Sequence, residues 1–185
     1  MQRDLVERAR AGDHDAFEAL TAACFDRLYA VARRILRDAD RCDDAVQECL
    51  IRAWRDLKGL REPDRFDAWI FRLLINACRD EGRRERRRGP QIRVIPPDRA
   101  AAGNAADELA DRDQLERGFR RLNVDQRAVL VMHHYLGLSA AEVAGTLGIP
   151  IGTVHSRLHY ATAALRAVLE ADARPALVAQ GGRTA

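Results

Sequence analysis

The sequence predicts an all-α protein made of two small helical domains joined by a flexible linker. Apolar residues recur at three- and four-residue steps through most of the chain, as one buried stripe of a helix requires. No segment shows the period-two alternation of a half-buried strand. Between Gly89 and Gly103 the periodicity stops, Pro90, Pro96 and Pro97 interrupt the chain, and small residues take over, which is the composition of a linker. The expected division is a first domain over 1–88, a linker over 89–106, a second domain over 107–170 and a mobile tail over 171–185.

In the first domain, Leu5, Val6 and Ala9 give a short helix stopped by Gly12, with Asp13 or Asp15 available to cap the next. Phe17, Leu20, Cys24, Leu28, Val31 and Ile35 mark one long amphipathic helix. Asp38 to Asp43 reads as a polar break. Val46, Cys49, Leu50, Ala53, Trp54 and Leu57 then form a third stripe ended by Gly59, and Asp44, Gln47, Glu48, Arg52 and Arg55 fall on its opposite face. After a loop with Pro63 and a possible Asp64 cap, Phe66, Trp69, Ile70, Leu73, Leu74 and Ala77 are the core face of a fourth helix. Phe71 and Ile75 are apolar on another side, more than one interface needs. Residues 79 to 88 hold six arginines against three acids, either a solvated helix end whose cations suit the C-terminal dipole or a phosphate-binding patch.

In the second domain, Leu109, Leu115, Phe119 and Leu122 suggest one helix and Val124 to Leu136 another. Ser139-x-x-Glu142 is a capping box, in which each residue satisfies a free backbone N–H of the other. Ala144, Gly148 and Val154 have the spacing of a helix-turn-helix: a small residue at the crossing, a helix stop, and an apolar residue filling the angle. Pro150 suits the start of the second helix, expected from about Ile151 to about Glu170, with Val154, Leu158, Ala161, Leu165 and Val168 facing inward. Thr153, His155, Ser156, Arg157, His159 and Tyr160 are left for the other face, donors and cations placed where a recognition helix meets bases and phosphates. Arg157 is expected to be exposed beside His155 and Ser156 and to meet a phosphate.

The 185 residues are 47% apolar, enough for two cores, and the net charge of +3 is too small to identify a nucleic-acid partner by itself. Of 31 basic residues only Lys58 is lysine, so arginine richness reflects composition more than function. Cys24, Cys42, Cys49 and Cys78 form no Cys-x-x-Cys pair and read as small buried hydrophobes rather than a disulfide frame or a zinc site. The charged N-terminus and the absence of any apolar run near ~20 residues predict a cytoplasmic protein with no membrane insertion. No phosphate loop or nucleophile elbow occurs, so no enzyme activity and no cofactor are expected. His155 and His159 share a helix face, yet no Glu follows His155 as the metalloprotease pattern requires, and DNA contact is the better reading of both.

Two distant stretches resemble one family. Cys42-Asp43-Asp44-Ala45-Val46-Gln47-Glu48, followed by Leu50 and Ala53-Trp54, is similar to the Asp-Ala-Val-Gln-Glu segment of bacterial sigma factors of the sigma-70 family. Phe66 to Asp80 with the arginines after it resembles the segment that reads and melts the −10 element. Leu122 to Arg166 resembles the −35-reading domain, through Leu138-Ser139, Leu147-Gly148-Ile149-Pro150, Gly152-Thr153-Val154 and Ser156-Arg157-Leu158. With only these two domains, the chain looks like the compact extracytoplasmic-function (ECF) group. It departs from the family's usual residues at His155, Tyr160 and Asn123, where Lys, Arg and Pro are common.

The resemblance implies a subunit that binds core RNA polymerase and promoter DNA and is commonly held inactive by an anti-sigma factor. It assigns polymerase docking to Asp44, Gln47 and Glu48. It assigns −10 binding and melting to Arg65, Trp69, Arg72, Asn76 and Arg79, with Arg83 and Arg84 in the basic end that follows. It assigns −35 binding to Ser139, Thr153, His155, Ser156, Arg157, His159 and Tyr160. Trp69 serves equally as a core anchor or a stacking platform. The alternative reading is a dimeric helix-turn-helix regulator that reads a two-fold symmetric site without polymerase. A nucleic-acid enzyme is a third class, opposed by the missing metal carboxylates and nucleophile-base pair.

Overall fold

The computed structural model describes residues 2–88 and 116–181, and every regular element among them is helical. The chain divides into two compact units, Met1–Arg93 and Val94–Ala185. The linker expected over 89–106 lies outside the described residues, as do Leu109 and Leu115.

The first unit contains α1 (Gln2–Arg10), α2 (His14–Leu36), α3 (Ala39–Asp56) and α4 (Phe66–Arg88). Asp13 caps α2 by accepting from the Ala16 N–H, which settles the choice between Asp13 and Asp15. The polar break is shorter than the sequence suggested. Arg37 ends α2 in the left-handed region at φ 62°, and Asp38 immediately caps α3 by accepting from the Arg41 N–H, so residues 39 to 43 are already helical. The signal lay in Asp38, a cap residue three positions before Arg41.

Leu20, Cys24, Leu28, Val31 and Ile35 of α2 are buried against the rest of the bundle, as their spacing required. The buried face of α3 is built from small side chains, Cys42, Ala45, Cys49 and Ala53, all fully buried. Small residues let α4 come close, and the Cys49 thiol reaches across to donate to the Ile70 carbonyl at 3.6 Å. Phe71 and Ile75 are both buried, so the apolar surplus of α4 is absorbed by the core. Phe71 lies under the Arg27 guanidinium of α2, 5.2 Å from its ring centroid. Trp54 stacks on His14 at 4.3 Å and meets Phe17 edge-on at 5.0 Å, fastening the end of α3 to the start of α2.

The second unit begins with a helical segment at 116–120, here α5, followed by α6 (Val124–Leu130), α7 (Ala140–Leu147) and α8 (Ile151–Gly181). Asn123 accepts from the Gln126 N–H and receives its side chain in return, a full capping box at the start of α6. The helix expected to run to Leu136 changes character at Val131, where residues Val131–Tyr135 widen into a π turn. His133 Nδ1 donates to the Leu138 carbonyl at 2.7 Å and closes the chain toward α7. Leu122, Leu130 and Ala161 form a buried cluster with Phe119, Leu158, Ala164 and Leu165 around it. Gly118 is pressed against Leu165 so closely that a β-carbon there would stand 2.6 Å from Leu165 Cδ2. The backbone of α8 stays helical to Gly181, beyond Glu170 and through most of the stretch expected to be a mobile tail.

Two outcomes follow from this packing. Ala53→Leu puts extra carbon into the α3–α4 contact and should lower stability by ~1–3 kcal/mol in urea unfolding; an unchanged midpoint would mean the helices are not in close contact there. Burial pushes the Cys24 and Cys42 thiols up to about 11 and Cys49 to about 12 from the ordinary 9.0, with Cys78 raised as well. Because the folded values are raised, their contribution to stability is complete below about pH 9 and is lost as pH climbs toward about 12, as thiols ionise first in the unfolded chain. Unfolding free energies measured at pH 7.5 and 10.5 should therefore diverge less in Cys49→Ala than in the wild type.

Candidate nucleic-acid and docking interfaces

Three groups of candidate residues can be placed on the two units. On α3, Asp44 and Gln47 are exposed on one face, and Ile51 one turn further on is 54% exposed, an apolar residue the sequence reading did not single out. Glu48 shares that face but is not a free carboxylate. Its Oε1 accepts from Arg52 Nε at 2.7 Å, one helical turn on. Arg52, only 23% exposed, also donates to Asp80 of α4. The i, i+4 spacing of Glu48 and Arg52 was legible in the sequence; the partner on α4 was not.

On α4, Trp69, Arg72, Asn76, Arg79 and Arg83 recur at three- and four-residue steps and share one side of the helix, with Arg65 in the turn just before it. Arg65 is exposed and pairs with Glu62 at 2.8 Å. Trp69 is half-buried with its ring centroid 6.0 Å from that of the buried Phe66, so the residue is anchored in the core and open on one side. Both of its sequence readings thus survive. Asn76 and Arg79 are half-buried and Arg72 is exposed. The basic end is less positive than its six arginines suggest. Arg83 pairs with Asp80 at 2.9 Å, Arg84 pairs with the buried Glu81, and Arg41 of α3 pairs with Glu85. All three acids of residues 79–88 are thereby occupied, while Arg86 and Arg87 extend the exposed basic surface.

In the second unit the helix-turn-helix forms from its caps inward. The Ser139 hydroxyl accepts from the Glu142 N–H at 3.3 Å and donates to Glu142 Oε2 at 2.7 Å, while the Ser139 N–H donates to the same oxygen at 2.8 Å. These bonds hold the Glu142 carboxyl below its ordinary range. Ser139 is therefore committed to starting α7. Gly148 ends α7 in the left-handed conformation at φ 62°, and Ile149 N–H returns to the Ala144 carbonyl at 3.2 Å. Val154 is completely buried in the angle of the motif.

The outward face of α8 carries His155, Ser156, His159 and Tyr160, all exposed, with Tyr160 at 66%. His159 and Tyr160 meet edge-on at 5.9 Å. Ser156 donates to the Thr153 carbonyl at 3.0 Å, so its acceptor lone pairs rather than its proton face outward. Thr153 is half-buried on the flank. Arg157 differs from expectation. Its side chain is 24% exposed and turns toward α6, where Nη1 lies 3.8 Å from Asp125 Oδ1. Position 157 is two residues past His155, about 200° around the helix, and the acid that draws it in is 32 positions earlier, which no local pattern reveals.

No group of three or more His, Cys, Asp or Glu suited to a metal occurs among the described residues, and His155 and His159 have no third partner. No described helix is long and apolar enough to cross a membrane. What the two units offer chemically is recognition: a polar strip with one apolar residue on α3, an aromatic, amide and arginine stripe on α4, and an imidazole-rich face on α8.

Both units are similar to known proteins. The family model described as Sigma-70 region 2 matches residues 20–88, and that described as Sigma-70, region 4 matches residues 112–165. The ECF RNA polymerase sigma factor SigL of Mycobacterium tuberculosis is 35% identical over 168 residues, which cover 86% of this chain and 94% of that one. The ECF RNA polymerase sigma-E factor of Escherichia coli is 28% identical over 173 residues, 87% of this chain and 90% of its own. Among solved structures, CnrH is similar with a TM-score of 0.61 at 31% identity, covering 92% of this chain and 98% of that one. The sigma factor RpoE of Bartonella quintana gives a TM-score of 0.68 at 25% identity, with 84% and 98% covered. The two units thus match two regions of one family: the chain belongs to the extracytoplasmic-function group of the sigma-70 family of RNA polymerase sigma factors.

Proposed function

We propose that this chain docks on core RNA polymerase through Asp44, Gln47 and Glu48 of α3 and directs it to promoters by two DNA-reading surfaces. Arg65, Trp69, Arg72, Asn76, Arg79, Arg83 and Arg84 bind and open the −10 element, and Thr153, His155, Ser156, His159 and Tyr160 of α8 meet the −35 element. The observation that carries this reading is the pairing of an aromatic and amide stripe with a helix-turn-helix in one chain. Opening a duplex costs a few kcal/mol per base, recovered when an extruded base stacks on an aromatic ring or bonds to an amide. Trp69 and Asn76 are half-buried, hence held in place, yet each keeps one side open to a base.

Ser139 and Arg157 take supporting roles: the first starts α7, and the second sits against α6 instead of reaching outward. The chain does no bond-making chemistry of its own and acts in the cytoplasm, where polymerase and promoter are. A dimeric regulator has no use for the α3 and α4 surfaces and is not favoured. The structure of CnrH is that of a complex with the cytosolic domain of CnrY, and that of RpoE a complex with the anti-sigma factor NepR. An anti-sigma factor is accordingly the inhibitory partner proposed for this chain.

In vitro transcription with purified core polymerase and a randomised promoter library tests the reading. It should return an asymmetric two-part promoter; a two-fold symmetric site bound without polymerase would support the dimeric regulator instead. Asp44→Arg, on the exposed strip, should weaken retention of core polymerase about tenfold with an unchanged circular dichroism spectrum, and normal retention removes Asp44 from the docking surface. Asn76→Ala should depress transcription about tenfold from a duplex promoter but far less from a template already unpaired around −10. Equal defects on both templates would place Asn76 outside base capture.

A further inference from the structure

Arg52 stands between the docking helix and the DNA-opening helix and touches both. Its Nε donates to Glu48 Oε1 at 2.7 Å, and both terminal nitrogens donate to Asp80 Oδ2 at 3.2 Å. The other oxygen of the same carboxylate, Asp80 Oδ1, accepts from Arg83 at 2.9 Å. Four alternating charges therefore run from the α3 strip to the basic end of α4: Glu48, Arg52, Asp80, Arg83. Arg52 and Asp80 are shielded, with side chains 23% and 33% exposed, while Glu48 and Arg83 at the two ends are the more open members.

We infer that this chain of charges is a relay by which polymerase docking releases Arg83 to DNA, with Arg52 as its positioning residue. The inference rests on the proposed roles of Glu48 in docking and Arg83 in DNA binding. The geometry supplies the step. A guanidinium that presents Nε and a terminal nitrogen together grips a carboxylate through both oxygens, the strongest arrangement it has. In the free chain Arg52 does not make this grip: its Nε is spent on Glu48 and both terminal nitrogens converge on Asp80 Oδ2. Asp80 Oδ1 is left to Arg83. A polymerase cation that takes Glu48 frees the Arg52 Nε, Arg52 then closes on both Asp80 oxygens, and Arg83, which must now share Asp80 Oδ1 with a second cation, is held less strongly and turns to a phosphate. The end pairs are solvent-exposed and individually weak, so a modest competing charge is sufficient to shift them. By linkage, DNA that captures Arg83 favours docking by the same factor.

The full chain without polymerase tests the relay, so a failed docking surface and a failed relay give different results. Fluorescence anisotropy with a single-stranded oligonucleotide of mixed sequence is measured across a salt series. Glu48→Gln imitates the docked state and should tighten binding about threefold to tenfold, with a salt slope steeper by about 0.7 for one added phosphate contact. Asp26→Asn removes the same unit of charge from the exposed surface of α2 and calibrates the long-range effect of charge alone. Glu48→Gln should exceed it. The gain should vanish in an Arg83→Ala background, and Asp80→Asn should produce the gain by itself and make Glu48→Gln silent. A purely structural role for the network predicts no gain from Glu48→Gln beyond that of Asp26→Asn. Affinity for Glu48→Gln no greater than for Asp26→Asn, or a gain that persists without Arg83, overturns the relay.

Discussion

The close approach of α3 and α4 is the constraint on which the first unit depends. Cys42, Ala45, Cys49 and Ala53 offer no bulk, so the Cys49 thiol touches the backbone of α4 directly. Larger residues would hold the helices apart and separate Arg52 from Asp80. Tight packing of this kind is stiff, because a well-filled interior has no intermediate arrangements available at low cost. Both candidate faces of the unit, the strip on α3 and the stripe on α4, are consequently carried by one rigid pair.

Electrostatics in this chain is local. A net charge of +3 gives little long-range attraction to DNA, and the density of arginine after Asn76 is partly cancelled where it stands. Arg83, Arg84 and the buried Arg41 consume Asp80, Glu81 and Glu85. Arg41 is the most costly of these: its Nε and Nη2 are buried with no hydrogen-bond partner, leaving one ion pair to offset the loss of hydration. Arg72, Arg86 and Arg87 are exposed outside these pairs, beside the paired Arg83 and Arg84. A protein that must find DNA only as part of a larger assembly gains from a muted charge, since unaided binding to arbitrary DNA would compete with assembly.

In the second unit the helices are set by their ends more than by their lengths. Reciprocal side-chain and backbone bonds start α6 at Asn123 and α7 at Ser139, and Gly148 stops α7 with a left-handed residue. Asn123 stands where the family commonly has proline, and the capping box explains how the helix start is kept without it. The π turn at Val131–Tyr135 lies between these fixed points, and the His133 bond to the Leu138 carbonyl ties it down.

Much of this was determined by sequence alone. Caps, turns and buried stripes are local: Ser139 and Glu142 are three residues apart, Gly148 is the residue that adopts positive φ without strain, and Val154 and Ala161 recur on one helix face. Such features depend on neighbours that chain order itself supplies. The family assignment was legible for a related reason, because its motifs are short runs in a fixed order. Tertiary structure alone decided which polar side chains are spent. Glu48 and Arg83 are joined through Asp80, 28 residues from Arg52; Arg157 is turned inward by Asp125; Phe71 is covered by Arg27. Charges and rings on a helix surface look alike in sequence whether they face water or another helix. Only the packing of that second helix determines whether a side chain is free to meet a partner.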